Sequence, residues 1–314
     1  MQKYNAQLVL DAHAVLGEGP VWDTEKRQLY WVDILQGQIH RFDPASGRDA
    51  QVLVGKTVGA VALRTNGGLV AALADGFYLI DSLDTPLSSK RLTSLDSVLF
   101  ALCLPGDLLS GQRFNDGKCD PAGRFWAGTM QYDPENPRCA LYRLESGGTC
   151  RNMVQGIGCS NGLAWSSDHK TMYYIDTTTR CVEMFDFDVG TGDLSNRRRL
   201  IDFSSREANT PGSPPAGFPD GMTIDAEGML WVAEWAGFKV SRWDPATGRK
   251  IGEALLPVSR VSSCTFGGPD LSDLYITTAG EGISPAEKTE QPLWGGLFRA
   301  ATDTRGIAPV RFAG

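Results

Sequence analysis

Acidic and amide side chains recur immediately before glycine at one position of a repeating pattern in this 314-residue chain. Successive copies are separated by roughly 40–60 residues. Carboxylates that converge repel one another and are costly to bury unless they are protonated or share a cation. Residues of this type at this position therefore predict a divalent metal site. The repeated position is occupied, in chain order, by Glu18, Val58, Asp116, Asn161, Asp220 and Ser262.

The three carboxylates and the amide at this position all donate oxygen, and none of the six residues is His or Cys. Oxygen ligands favour Ca²⁺, Mg²⁺ or Mn²⁺, while carboxylate and water ligands leave Zn²⁺ or Fe²⁺ open. Asp-Gly and Asn-Gly pairs are also common in ordinary turns, so any single pair would indicate a turn. Four such residues at one equivalent position of the repeat instead favour a site.

The repeat that contains this position is predicted to be a unit of short β-strands. A strand rich in aromatic and β-branched residues follows each copy, at 29–34, 69–74, 125–130, 172–177, 230–235 and 274–279. A third strand follows at 38–44, 77–82, 140–145, 182–188, 239–245 and 296–300, and a weaker fourth strand completes most units. Such residues suit a pleated surface, and helical periodicity is nearly absent. Six units of four antiparallel strands predict an all-β fold, a six-bladed β-propeller that forms a single domain over residues 1–314.

The ends of the chain are expected to close this ring. The N-terminal QLVLDA at 7–12 precedes the first unit, and PVRF at 309–312 follows the last. We expect these two stretches to pair in one sheet, which would remove exposed strand edges. A two-sheet sandwich or a pair of barrels also contains many short strands, but neither explains why every unit repeats the same order. In a propeller the first strand of each blade lies beside the central channel, so the repeated position converges on the axis.

Arg113 and Asn115 precede Asp116 and are two residues apart, so they share one face of an extended segment. At the mouth of the channel they could hydrogen-bond a ligand with many hydroxyl groups, although Arg113 could instead form a surface salt bridge. Long loops at 101–112 and 204–219 lead into first strands and are therefore expected at the same end. Loops of this length often form lids or determine specificity.

Composition excludes several classes of protein. A net charge of −7 argues against nucleic acid or an anionic membrane as a partner. Seven cysteines without C-x-x-C spacing predict reduced thiols, and the N-terminus does not resemble a secretory signal, so we expect a cytoplasmic protein. The three histidines, His13, His40 and His169, fall in turns or outer strands, which argues against a serine nucleophile activated by histidine. The oligomeric state stays open.

Four stretches of the chain resemble signature sequences of one family. LGEGPVWD at 16–23, RFNDGKCDPAGRFWAGTM at 113–130, SNGLAWSSDHKTMYYIDT at 160–177 and FPDGMTIDAEGMLWVAEW at 218–235 resemble the gluconolactonase, senescence-marker-protein (regucalcin) and luciferin-regenerating-enzyme family, in its sugar lactonase branch. The resemblance implies a six-bladed propeller with one divalent metal ion. It implies the metal ligands Glu18, Asn161 and Asp220, and it makes Asp116 a neighbour of the ligands. It implies substrate contacts at Arg113, Asn115 and Asp133, where Glu is more typical than Asp.

This resemblance implies hydrolysis of an aldonolactone, such as gluconolactone, arabinonolactone or xylonolactone, to the sugar acid. Asp220 would be the catalytic residue, acting as a metal ligand and as the general base toward water, and the partner would be a small sugar lactone. Two alternatives stay open. One is a calcium-binding regulatory protein without catalysis, and the other is a related metal-dependent esterase or phosphotriesterase.

Overall fold

The computed structural model describes residues 1–83, 88–94, 111–132, 138–205 and 212–314, with only the backbone at 88–94. Its strands form six small sheets in these ranges, and each sheet follows the chain order predicted for a blade. The first strand of each blade contacts the first strand of the next blade, and the sixth returns to the first. This arrangement confirms the six-bladed β-propeller.

Two short strands precede the first blade, β1 Gln2–Asn5 and β2 Gln7–Leu10. Blade one contains β3 Gly17–Asp23, β4 Gln28–Asp33, β5 Gln38–Asp43 and β6 Arg48–Leu53. Blade two contains β7 Val58–Leu63, β8 Leu69–Leu73, β9 Gly76–Ser82 and β10 Ser88–Ser94. Blade three contains β11 Gln112–Cys119, β12 Phe125–Gln131, β13 Cys139–Leu144 and β14 Cys150–Ile157.

Blade four contains β15 Ser160–Trp165, β16 Thr171–Asp176, β17 Cys181–Phe187 and β18 Leu194–Asp202. Blade five contains β19 Phe218–Ile224, β20 Leu230–Trp235, β21 Lys239–Asp244 and β22 Arg249–Leu255. Blade six contains β23 Val261–Gly267, β24 Asp273–Thr278 and β25 Leu297–Ala301. A short helix, α1 Pro285–Glu290, and a 3₁₀ turn, Thr177–Thr179, lie in the connections.

The N-terminal strand closes the ring, as predicted. β2 pairs antiparallel with β25 and becomes the fourth strand of blade six. The expected pairing with residues 309–312 was wrong, because the edge of β25 is already occupied by β2. Phe312 instead forms a parallel bridge with Arg64 of blade two and is fully buried in a cluster that includes Phe77. β1, which was not predicted, adds a parallel fifth strand to blade five beside β22.

Aromatic side chains of the first and second strands fill the space between blades. Trp126 lies 6.0 Å from Trp165 across the interface of blades three and four, measured between ring centroids. Trp231 meets Phe266 edge to face at 5.6 Å between blades five and six. Because aromatic pairs bury large apolar areas, this packing holds the first strands in fixed positions around the axis.

Features that bear on the cell compartment are few. Six cysteines lie in the described ranges, and none of them forms a disulfide. No helix in the described part of the chain is long and apolar enough to cross a lipid bilayer. The cytoplasmic location stays a prediction.

Candidate metal and substrate site

Every first strand is irregular at the repeated position. In all six blades the pairing between the first and second strands shifts register there. Such a bulge bends the strand and changes the direction of a side chain that a regular ladder would fix. The bulge thus provides a way for this one position to face the channel. The shifts lie between Glu18 and Val21, Val58 and Ala60, Phe114 and Gly117, Ser160 and Leu163, Pro219 and Met222, and Val261 and Ser263.

The glycine after the repeated position lets the next blade approach closely. A Cβ atom on Gly162 would lie 2.8 Å from the carbonyl oxygen of Asp220 and 2.5 Å from Cβ of Met222. A Cβ atom on Gly221 would lie 2.1 Å from Oγ of Ser263. Any side chain at these glycines would therefore push the neighbouring first strand, and with it Asp220, away from the axis.

The structure brings the predicted ligands into one buried group. Glu18, Asn161 and Asp220 are 3%, 3% and 6% exposed. Burial, followed by the negative charge of Asp116, raises the pKa of Glu18 to about 8. Burial, followed by the charges of Glu18 and Asp116, raises the pKa of Asp220 well above its usual range, against the smaller opposing effects of Asn161 and Arg113. Carboxylates drawn from blades one, three and five thus interact at the axis.

Thr177 fixes the orientation of the Asn161 amide. The Asn161 Nδ2 group donates to Oγ1 of Thr177 at 2.9 Å, and the Thr177 hydroxyl donates in turn to the carbonyl oxygen of Pro219 at 2.8 Å. Because the hydroxyl proton is used on Pro219, Thr177 can only accept from the amide. The amide oxygen Oδ1 is left buried without a hydrogen-bond partner among the described residues. Sequence reasoning missed Thr177, although it directly follows the MYYID strand.

These residues fit a divalent cation with oxygen ligands. No three His, Cys, Asp or Glu side chains are grouped to hold a metal ion within the described ranges. The candidate set therefore depends on the amide oxygen of Asn161 beside the carboxylates of Glu18 and Asp220. A buried acceptor without a donor and two carboxylates with raised pKa values are each unfavourable alone. A shared cation would satisfy all three.

Arg113 and Asn115 lie beside this group and contact each other. Nη1 of Arg113 donates to Oδ1 of Asn115 at 2.6 Å, and Nε donates to the hydroxyl of Tyr132 at 3.2 Å. Nδ2 of Asn115 donates to the carbonyl oxygen of Ser160, one residue before Asn161. Asn115 thus joins blade three to blade four and holds the Arg113 guanidinium. Asp133, the third predicted substrate contact, lies outside the described residues, as does most of the predicted 101–112 loop.

Asp116 interacts with Lys118 as well as with the predicted ligands Glu18 and Asp220. Burial raises its pKa, and the ammonium group of Lys118 opposes that effect. Nζ of Lys118 donates to the carbonyl oxygen of Met222 at 2.6 Å, so this side chain connects blade three to blade five. Asp116 and Lys118 also line a pocket at the opposite end of the channel. Asp116 therefore adjoins both the ligand group and this pocket.

The remaining two repeated positions have structural contacts. Val58 is fully buried in an apolar cluster. Ser262 donates to the carbonyl oxygen of Gly17 at 2.5 Å, one residue before Glu18. The histidines do not join the group: His40 stacks on Trp31 in an outer layer of blade one, and His13 and His169 occupy turns with positive φ.

Comparison with known proteins is consistent with this geometry. The sequence pattern of the SMP-30/Gluconolactonase/LRE-like region matches residues 16–280. The chain belongs to this family. YvrE of Bacillus subtilis (strain 168), which is named as a candidate sugar lactone lactonase, is 40% identical over 99% of both chains. Regucalcin of Xenopus laevis is 37% identical over the full length of both. The solved structure of a calcium-binding protein, regucalcin, from Agrobacterium tumefaciens str. C58 has a TM-score of 0.86 and 27% identity, and it covers 99% of this chain and 98% of its own.

Proposed function

We propose that this protein opens an aldonolactone ring to give the sugar acid, using a divalent cation held by Glu18, Asn161 and Asp220. Membership of the family makes it a lactone-hydrolysing enzyme, which is a carboxylic ester hydrolase. The proposal adds the cation and the sugar substrate. The observation that carries it is the buried Oδ1 of Asn161, which lacks a donor and belongs to the same group as two carboxylates of raised pKa.

Lactone hydrolysis needs a polarised carbonyl, an activated water molecule and stabilisation of the oxyanion. A bound divalent cation would supply Lewis-acid polarisation and charge stabilisation. Asp220 carries a carboxylate oxygen that would accept the proton of the attacking water. Asp220 would thus act both as ligand and as base.

Arg113 and Asn115 would orient the hydroxyl groups of the sugar at the mouth of the channel. The guanidinium is 5% exposed and is held by Asn115 and Tyr132, so its direction is fixed before the substrate arrives. A pre-oriented donor lowers the entropy that substrate binding must overcome. The proposed contact of Asp133 with the substrate follows only from the family resemblance.

A calcium-binding protein without catalysis is the second candidate, because relatives named regucalcin match the whole chain. The same three residues would then hold the cation. The arrangement of Arg113 and Asn115 favours the enzyme, since a binding site has no need for a fixed guanidinium beside the cation.

The test is an assay of five- and six-carbon aldonolactones with protein stripped by a chelator and refilled with one cation at a time. We expect hydrolysis of gluconolactone or a pentonolactone that disappears on stripping and returns with Ca²⁺, Mn²⁺, Mg²⁺, Zn²⁺ or Fe²⁺. Equal rates with and without cation would refute the metal role. Cation binding without hydrolysis of any lactone would favour the calcium-binding alternative.

A further inference from the structure

Three buried carboxylates occupy one equivalent position in the second strands of blades one, four and five. They are Asp33 in LYWVD, Asp176 in MYYID and Glu234 in LWVAE, each the fifth residue of its segment. Their exposed fractions are 2%, 2% and 0%. We name these three residues the clamp carboxylates. None of them belongs to the group of predicted ligands.

Each clamp carboxylate accepts hydrogen bonds from the backbone just ahead of a predicted ligand. We name residues 15–17, 158–160 and 217–219 the approach segments, because they directly precede Glu18, Asn161 and Asp220. Asp33 accepts from the backbone N–H groups of Val15 at 2.7 Å and Leu16 at 3.1 Å. These donors lie three and two residues before Glu18.

The same spacing recurs in the other two blades. Asp176 accepts from the N–H groups of Gly158 at 3.1 Å and Cys159 at 3.0 Å, which again lie three and two residues before Asn161. Glu234 accepts from the N–H group of Gly217 at 2.9 Å, three residues before Asp220. The backbone of Glu234 also pairs with Pro219, immediately before Asp220.

Blade five reinforces its clamp with a buried lysine. Nζ of Lys239 lies 3.5 Å from the carboxylate of Glu234, and both side chains are fully buried. The same ammonium group donates to the carbonyl oxygens of Pro214 and Pro215, at 2.5 and 2.9 Å. The carboxylate and the ammonium group together therefore hold residues 214–217, which lead into β19.

The other three blades carry no acid at this position. Blade two has Leu73, blade three has Thr129 and blade six has Thr278. In the described residues, Thr129 accepts from the N–H group of Ala140, and Thr278 donates to the carbonyl oxygen of Gly296. Both hydroxyls thus bind the third-strand side of their own blade. The acids occur in the blades that supply Glu18, Asn161 and Asp220, and the blade that supplies Asp116 lacks one.

Burial of a carboxylate is costly, and an apolar side chain such as Leu73 shows that this position does not need a charge to pack. A carboxylate that accepts backbone N–H groups forms charge-assisted bonds of higher strength and narrower geometry than neutral ones. Such bonds restrict the backbone of the approach segments where the bulge of the first strand begins. The direction of the ligand side chain depends on the backbone conformation there.

We infer that Asp33, Asp176 and Glu234 are positioning residues, each of which fixes the approach segment of one metal ligand. The identity of those ligands rests on the proposed function.

The experiment compares Asp33→Asn, Asp176→Asn and Glu234→Gln with Asp225→Asn as matched control. Asp225 is equally buried at the opposite end of blade five, and its carboxylate accepts from the backbone N–H of Met229 and from Nε1 of Trp231. Each amide variant keeps the size of the side chain and removes its charge. In Asp33→Asn and Asp176→Asn one of two accepting oxygens also becomes a donor, whereas Glu234→Gln removes the charge that strengthens the bond to Gly217. Amide hydrogen exchange and calorimetric titration with Ca²⁺ or Mn²⁺ alone are measured on chelator-stripped protein, beside thermal unfolding.

We expect exchange at Val15, Gly158 or Gly217 to accelerate only in the variant that loses its own clamp. We expect cation affinity to fall about tenfold in each clamp variant, the lower end of what second-layer changes produce, and to stay within about twofold in Asp225→Asn at a similar loss of thermal stability. In the clamp variants kcat for lactone hydrolysis should fall by a larger factor than KM changes, because the proposed ligands move and Arg113, which would bind the substrate, does not.

Unchanged exchange in the approach segments would overturn the inference. Equal losses of cation affinity in all four variants would overturn it as well, because the effect would then be one of general stability. Failure of the wild-type protein to bind any cation would refute the proposed function instead. The exchange data would still decide whether the clamp carboxylates hold the approach segments.

Discussion

The two ends of the axial channel are built from the same six strands and differ in chemistry. At the end where the first strands begin, Glu18, Asn161 and Asp220 are buried together beside Arg113. At the end where they finish, a pocket is lined largely by apolar side chains such as Val61, Ala62, Ala164 and Ile224, with residues 307–310 across it. We refer to these as the ligand end and the apolar end. Lys118 lies between them and bonds to Met222 across the channel.

The difference follows from where the strands are irregular. The register shifts occur near the starts of the first strands, and regular pairing resumes toward their ends, as at Trp22 opposite Leu29. A regular ladder alternates its side chains between the two faces of the sheet, which pack against neighbouring blades. Only a bulge changes that direction for a single residue. The comparison teaches that the chemistry of this fold depends on a local break in the repeat.

The largest expected effect is at the ligand end. Asp220→Ala removes a proposed ligand that is also the proposed base, so we expect kcat to fall by about a thousandfold or more. The stripped variant should keep the circular dichroism of the propeller and unfold at the same or a higher temperature than stripped wild type, since one of three repelling carboxylates is gone. Turnover close to wild type would refute the role of Asp220.

A pH titration should show a smaller effect at the same end. The pKa of Glu18 is raised to about 8 from an ordinary 4.5, so between these values the stripped folded protein holds a proton that the unfolded chain releases. The contribution of Glu18 to stability is therefore present below the unfolded pKa and is lost as pH rises through about 8.

The same proton competes with the cation. Cation affinity should rise by up to about tenfold per pH unit for each proton released, because binding must displace the protons of both Glu18 and Asp220, whose pKa values are raised. Calorimetry in buffers of different ionisation enthalpy would count the released protons. Affinity that is flat from pH 6 to 8 would contradict the raised pKa values, and Glu18→Gln should reduce the slope to the contribution of Asp220.

The smallest effect on activity is expected at the apolar end. Phe312→Ala empties a fully buried site and should destabilise the protein by about 3–5 kcal/mol. Lactone hydrolysis below the unfolding temperature should change by less than about twofold, because Phe312 belongs to an apolar cluster with Ala62 and Phe77 that includes none of the proposed ligands. Urea unfolding and steady-state kinetics check both halves. A loss of activity comparable to Asp220→Ala would mean that the two ends are coupled.

Sequence reasoning predicted the blades, and it located the equivalent position in blades one, four, five and six, because both depend on local patterning. In blades two and three the strand register assigns that position to Gly59 and Asn115 rather than to Val58 and Asp116, because Val58 and Phe114 pair with Leu73 and Thr129 as Gly17 pairs with Asp33. Segments such as LYWVDI are predicted to be β-strands because their residues suit a pleated surface, and the repeat predicts the order of the strands. Placement of 309–312 failed because that segment is apolar enough for several edges, and only packing decides among them. Phe312 packs in an apolar cluster between blades two and three, and no local pattern in the sequence reveals that contact.

Thr177, Lys239 and the clamp carboxylates were missed for a related reason. Their sequence signal was present, since Asp33, Asp176 and Glu234 end recognisable strand segments, but an acid at a strand end is also a common turn residue. The clamp carboxylates join a second strand to a segment 17 or 18 residues earlier in the chain, as Glu234 and Gly217 illustrate. Lys239 contacts residues still further away, Pro215 and Pro214, at separations of 24 and 25 residues. A comparison of that position among the six blades would have separated the three acids from Leu73, Thr129 and Thr278.

The sequence by itself determined a repeat of strands and the oxygen-bearing residues at one position of that repeat, since both are periodic properties of the chain. The tertiary structure alone decided which of those residues meet, that the Asn161 oxygen is left without a donor, and that Asp116 interacts with Lys118. Those outcomes depend on close approach of first strands from different blades, such as Gly162 against Asp220. Contacts of that kind join residues far apart in the chain, so no local pattern can specify them.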